Sequence, residues 1–127
     1  MKFYLLDAGG AGLVLGFMII FMIAAVVVEA LLMLALKYNH VGKCFLDSLV
    51  INLVSLGIGF IMLRIGDTLD FTDNDYLNYL LLFLITVITE CITLYLMNRS
   101  KPFSRTLLVA FVINLVSYGL LYLFTIV

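Results

Sequence analysis

Glu29 and Glu90 stand inside long apolar stretches of a 127-residue chain in which 12% of the residues are charged. An acid in that setting either holds a proton or cation within a membrane or clasps a neighbouring helix through hydrogen bonds. Asn52 and Asn114 occupy similar stretches, and each is followed three residues later by a serine, Ser55 and Ser117. Three residues is close to one helical turn, so each Asn–Ser pair shares a face. An amide both donates and accepts, which lets Asn partner a carboxylate or a neutral acid. Desolvation favours the neutral acid unless water or a cation reaches it.

Spacing assigns these residues a common depth. Glu29 lies eight residues before Lys37 and Glu90 eight before Asn98, while Asn52 lies nine after Lys43 and Asn114 nine after Arg105. At 1.5 Å per residue, all four fall roughly 12–14 Å from the basic ends of their helices. A helical hairpin then sets Glu29 level with Asn52, and Glu90 level with Asn114. A charged carboxylate facing lipid costs about 3 kcal/mol or more. Glu29, Asn52, Ser55, Glu90, Asn114 and Ser117 are therefore expected to form one intramembrane polar layer directed inward. Ser48, Asn52, Ser55 and Gly59 make one small or polar stripe, and Thr86, Glu90 and Thr93 another.

As a structural device, each Glu–Asn pair would staple its own hairpin, with each interhelical hydrogen bond contributing roughly 0.6–2 kcal/mol. As a functional device, the acids would bind or relay a proton or cation. The sequence tilts toward the staple. It offers no buried Lys, Arg or His to complete a relay, and His40 sits in a turn.

The elements that position this layer follow from composition. Apolar residues form 65% of the chain, more than a small soluble domain can hide. Four apolar runs cover about 9–36, 44–63, 76–97 and 103–127, each long enough to cross a bilayer with about 20 residues. Short links make successive helices antiparallel. Pro102 opens the last run, and Thr72 with Asp75 has capping-box spacing ahead of the third. Lys2, Asp7 and the long first run do not fit a secretory signal.

Val50-Ile51-Asn52-Leu53-Val54-Ser55 recurs letter for letter as Val112-Ile113-Asn114-Leu115-Val116-Ser117. Lys43 matches Arg105, Gly57 matches Gly119, and Glu29 matches Glu90 with one extra residue in the second loop. The expected fold is an all-α integral membrane four-helix bundle made of two repeated hairpins. It forms a single transmembrane domain over 1–127, with hairpins at about 9–63 and 76–127 joined by an acidic loop at about 64–75. Copies two spans apart are parallel, related by a pseudo-two-fold axis along the membrane normal. The first and third loops carry Lys37, Lys43, Arg99, Lys101 and Arg105, whereas the middle loop carries Asp67, Asp70, Asp73 and Asp75 against Arg64. Basic loops stay in the cytoplasm, which leaves both termini outside a cell membrane.

The remaining signals are weaker. Gly12 and Gly16 form a GxxxG that Ala8 extends, and with Gly59 they are candidate small residues for close helix approach, within the chain or against another. Cys44 and Cys91 have no ligand spacing and read as small interior residues. The acidic loop lacks the Gly and terminal Glu of an EF-hand. Neither a metal nor a cofactor is implied, no basic face suits nucleic acid, and no HExxH, nucleophile elbow or phosphate loop points to an enzyme. The expected partners are the bilayer and another membrane protein or a second copy. By elimination the sequence suggests a membrane-embedded interaction or accessory subunit held by Glu–Asn clasps. The alternative is a small proton- or cation-coupled transporter or channel using Glu29 and Glu90, which a cavity reaching both acids would favour. The outer interior reads as mostly Leu, Ile, Phe and Met, which speaks against an open pore.

Overall fold

The computed structural model describes residues 8–66 and 75–126. Lys2, Asp7, Asp67, Asp70, Thr72 and Asp73 lie outside them, and with them most of the acidic loop and the capping-box reading. Four helices follow in order: α1 (Ala8–Ala35), α2 (Val41–Gly66), α3 (Asp75–Met97) and α4 (Phe103–Ile126). Each contains a stretch long and apolar enough to cross a membrane, Leu15–Ala35, Val41–Met62, Tyr76–Met97 and Phe103–Leu123. Only 17% to 28% of each stretch is buried within the bundle, so most of the apolar surface needs a lipid-like surrounding. Helix is the form such segments take there, because it pairs the backbone's polar groups within the segment.

The helices form a closed ring. α1 packs on α2 and α4, and α3 packs on the same two, while the diagonal pairs make no close backbone approach among the described residues. The two tight turns, α1–α2 and α3–α4, carry the basic residues at one end of this ring. Near that end the interior is filled: Ala30, Met33, Ile51, Leu94 and Ile113 have no exposed surface. Cys44 and Cys91 are buried there as free thiols, their small size suiting a tight core.

Local chemistry ends the helices. α1 closes with paired reversed bonds, Tyr38 N–H to the Met33 carbonyl and Lys37 N–H to the Leu34 carbonyl, both 2.9 Å. That is a Schellman cap, and it requires a left-handed residue after the helix. Lys37 supplies it with φ of 53°. Helix ends leave carbonyls unpaired, and Arg105 of α4 reaches across to take those of Leu36 at 3.0 Å and Lys37 at 2.8 Å. At the start of α2 the His40 ring nitrogen accepts from Lys43 N–H at 3.3 Å. Pro102 immediately precedes α4 and accepts its first bonds, from Arg105 and Thr106. Asn98 folds its amide back onto the Leu94 carbonyl at 3.1 Å and so finishes α3.

A lysine in the left-handed region carries a Cβ penalty of about 1 kcal/mol that glycine does not. Lys37→Gly is expected to raise the thermal midpoint in detergent by a few degrees, measured by circular dichroism. A lowered midpoint would show that the Lys37 side chain itself holds the turn.

Candidate functional site: a crossed acid–amide layer

Glu29 and Glu90 are each only 2% exposed. Asn52 on α2 donates to one oxygen of Glu29 at 2.5 Å, and Asn114 on α4 donates to one oxygen of Glu90 at 2.6 Å. Both amides also donate back along their own helices at 2.8 Å, Asn52 to the Ser48 carbonyl and Asn114 to the Ala110 carbonyl. That second bond holds the amide in one rotamer with its nitrogen aimed at the acid. Each Asn thus ties the two helices of its own hairpin.

The serines do the opposite. Ser55 of α2 bonds the other oxygen of Glu90, and Ser117 of α4 bonds the other oxygen of Glu29, both at 2.8 Å. α2 and α4 therefore each present an Asn to one acid and, one turn further, a Ser to the other. The four contacts close a ring through all four helices. Each contact in the first hairpin has a counterpart in the second, with one difference. Ser48 also approaches Glu29 at 3.4 Å while donating to the Val26 carbonyl at 2.9 Å, and the matching position 110 is an alanine.

All four carboxyl oxygens therefore have hydrogen-bond partners. A carboxylate accepts from both the amide and the serine. A neutral acid keeps the same geometry if its O–H donates to the serine oxygen, since a hydroxyl rotates to donate or accept. The layer can host either protonation state without moving a heavy atom.

A cavity of about 300 Å³ begins at this layer and extends away from the basic turns. Glu29, Glu90, Asn52, Asn114, Ser55 and Ser117 all line it, with Phe21, Ile58, Met62, Leu82, Ile85 and Leu121 as apolar walls and Thr86, Thr89 and Tyr118 as polar points. Among the described residues no Lys, Arg or His lines it. The side chains expected from the sequence are present, but they do not fill the space between them. Toward the basic turns the packed core blocks the way, so the cavity has one closed end.

Other sequence expectations fall differently. A Cβ built at Gly12, Gly16 or Gly59 would meet nothing within 4 Å among the described residues. A side chain at these positions would stand in open space among the described residues. The threonine stripe also divides. Thr93 donates to its own Thr89 carbonyl at 2.8 Å instead of joining the acids. Thr86 donates to the Leu82 carbonyl at 2.8 Å and takes the Tyr118 hydroxyl at 2.9 Å.

A second polar cluster escaped the sequence reading. Asp47 is fully buried, bonded by Lys43 at 2.7 Å and by the Asn98 amide at 3.0 Å. Asn39 donates to Asn98 at 2.8 Å and approaches Asp47 at 3.4 Å. Nearby, the Tyr38 and Thr106 hydroxyls pair at 3.0 Å, and the Lys101 ammonium lies 5.1 Å from the centre of the Tyr38 ring. Burial pushes the Tyr38 phenol above its usual value, only partly offset by Thr106, which keeps this pair neutral. The missed signal was the four-residue spacing of Lys43 and Asp47, a helical ion-pair distance.

The crossed serines yield a pairwise test. A double-mutant cycle between Ser55→Ala and Glu90→Met, which removes the acceptor, should show coupling of about 0.6 kcal/mol, read from reversible unfolding in mixed detergent. The same cycle between Ser55→Ala and Glu29→Met should give a clearly smaller value. Equal couplings would mean that the serines do not cross between hairpins. No protein-family model, no curated protein and no solved structure matches the chain.

Proposed function

We propose that this chain is a small multi-pass membrane carrier that binds a proton or a cation at Glu29 and Glu90. The observation carrying this reading is the cavity of about 300 Å³ that ends on two buried acids, with no basic residue in its lining among the described residues. Two uncompensated carboxylates in a low-dielectric interior are costly, so the site recovers neutrality by taking up protons or a cation. The Asn and Ser partners fit both states, which is what a site that loads and unloads requires. In this reading the chain is a carrier and not an enzyme: the hydroxyls beside the acids, Ser55 and Ser117, serve as their hydrogen-bond partners.

The basic turns lie in the cytoplasm by the distribution of Lys and Arg, with both termini and the cavity directed outside. The hairpins are duplicated copies related by a pseudo-two-fold axis along the membrane normal, supported by the matched Glu29–Asn52–Ser117 and Glu90–Asn114–Ser55 sets. A second reading, an interaction or accessory subunit with the acids as clasps, is favoured by a different observation. Among the described residues no buried side-chain polar atom lacks a partner, as a permanent staple requires.

The two readings separate in Glu29→Gln/Glu90→Gln. Gln preserves shape and hydrogen bonding but exchanges no proton. The carrier reading expects a folded double variant that has lost a pH-dependent carboxyl infrared band and proton-coupled flux in vesicles. A wild type whose carboxyl band does not change with pH, or a fully active variant, would leave the clasp as the function of the layer.

Topology has its own test. In intact cells, an impermeant thiol reagent should label Asp70→Cys and spare Asn39→Cys, with the buried Cys44 and Cys91 giving a low background. Labelling of Asn39→Cys alone would invert the orientation and turn the cavity toward the cytoplasm.

A further inference from the structure

We propose that the cavity takes an organic cation with an apolar body, admitted sideways from the lipid along both flanks of α1. The inference rests on the acids exchanging protons as above, and it names what exchanges with them. An inorganic ion is poorly served here. Hard cations take six or more oxygen ligands, whereas the oxygens of Glu29 and Glu90 already hold Asn and Ser and the walls beyond them are largely hydrocarbon. A charged head against the acids and a hydrocarbon body against Phe21, Met62 and Leu82 would match the site at both ends. The volume of about 300 Å³ lies at the lower limit for small-molecule pockets.

The route is visible in two further hollows. One, between α1 and α2, is lined by Phe17, Met18, Met22 and Leu56 and reaches Asn52 and Ser55. The other, between α1 and α4, is lined by Ile20, Ala24, Val28 and Leu120 and reaches Ser117. Both share Phe21 and Ala25 with the central cavity, so this one turn of α1 stands between three adjacent spaces. On the outer half of α1, Phe17 is 68% and Ile20 66% exposed. The second hairpin is pinned at the matching depth, where Phe83 packs edge-on against Phe111 at 5.9 Å and Tyr118 at 5.3 Å, and Tyr118 bonds Thr86. α1 is therefore the wall able to yield. A monovalent cation entering displaces one proton from a glutamate into water, and the charge of the site is unchanged.

The experiment uses the full chain in nanodiscs of neutral lipid in weak buffer, with proton release followed by a pH dye. Tetramethyl-, butyltrimethyl- and hexyltrimethylammonium are added in parallel with sodium and potassium chloride. The expected result is release by the organic cations, with the half-release concentration falling about fourfold per added methylene. Glu29→Gln/Glu90→Gln should release nothing. Ala25→Phe, which narrows the shared turn, should slow release roughly tenfold at a fixed cation concentration, a barrier higher by about 1.4 kcal/mol. Release by sodium or potassium as effective as by hexyltrimethylammonium, or release independent of chain length, would overturn the apolar-cation assignment. Unchanged release in Ala25→Phe would overturn the sideways route. No release by any cation, with carboxyl bands that still titrate, would defeat this inference alone and assign the hollows to lipid chains. Bands that do not titrate would defeat the proton-exchange reading beneath it.

Discussion

A carboxyl group removed from water must have its oxygens satisfied from within the protein, and two such groups set the terms for this bundle. Satisfying Glu29 takes α2 and α4 at once, because its oxygens go to Asn52 and Ser117. Satisfying Glu90 takes the same two helices in the reverse assignment, through Asn114 and Ser55. Neither hairpin meets the need alone. An isolated hairpin would leave each acid with its amide and without its hydroxyl partner, a penalty of about 1–3 kcal/mol per unpaired buried group. In lipid, where apolar contact gives helices little reason to choose one neighbour over another, this requirement supplies the choice. It fixes the ring order, the relative depth of all four helices and the face each turns inward.

The bundle is unequal along its length as a consequence. On the basic side of the layer, small residues such as Ala30, Cys44, Cys91 and Ala110 let the helices close around Met33, Ile51, Leu94 and Ile113. The Asp47–Asn98–Asn39 cluster and the reach of Arg105 to the α1 carbonyls add hydrogen bonds between hairpins at that end. On the other side no comparable hydrogen bond joins α1 to its neighbours among the described residues, and space opens between large side chains. The acids thus mark the boundary between a packed half and an open half. A titratable pair at the blind end of a cavity is reached from one side only, and that is the arrangement on which a binding role depends.

Near-symmetry with local departures is a second theme. The same six-residue stretch builds α2 and α4 at the layer, which is why the contacts cross so regularly. Where the two hairpins differ in sequence, the structure differs. Asp47 anchors Lys43, whereas the matching valine at 109 leaves Arg105 free to cross to another helix end. The outer half of α4 carries Tyr118 into an aromatic contact with α3, and the equivalent depth between α1 and α2 is a hollow. The two acids share a layer without sharing an environment.

Much of this was legible in the residues themselves. Four spans follow from apolar runs of the right length, because a lipid-facing backbone has no alternative to the helix. The common depth of Glu29, Asn52, Glu90 and Asn114 follows from counting, because helical rise is constant. Partner choice is another matter. Ser55 and Ser117 lie on the same faces as their asparagines, but which acid a hydroxyl meets depends on how two hairpins dock, and no local spacing encodes that. Asp47 was readable from its distance to Lys43, yet its burial and its bonds to Asn39 and Asn98 exist only once the turns are brought together. Gly12, Gly16 and Gly59 have the spacing or size for close packing, yet a Cβ at each would meet nothing within 4 Å among the described residues, since small residues permit approach without compelling it. The cavity is the furthest from the sequence: an apolar wall reads the same in one dimension whether its side chains interlock or stand apart, and only the packing of the four helices decides between them.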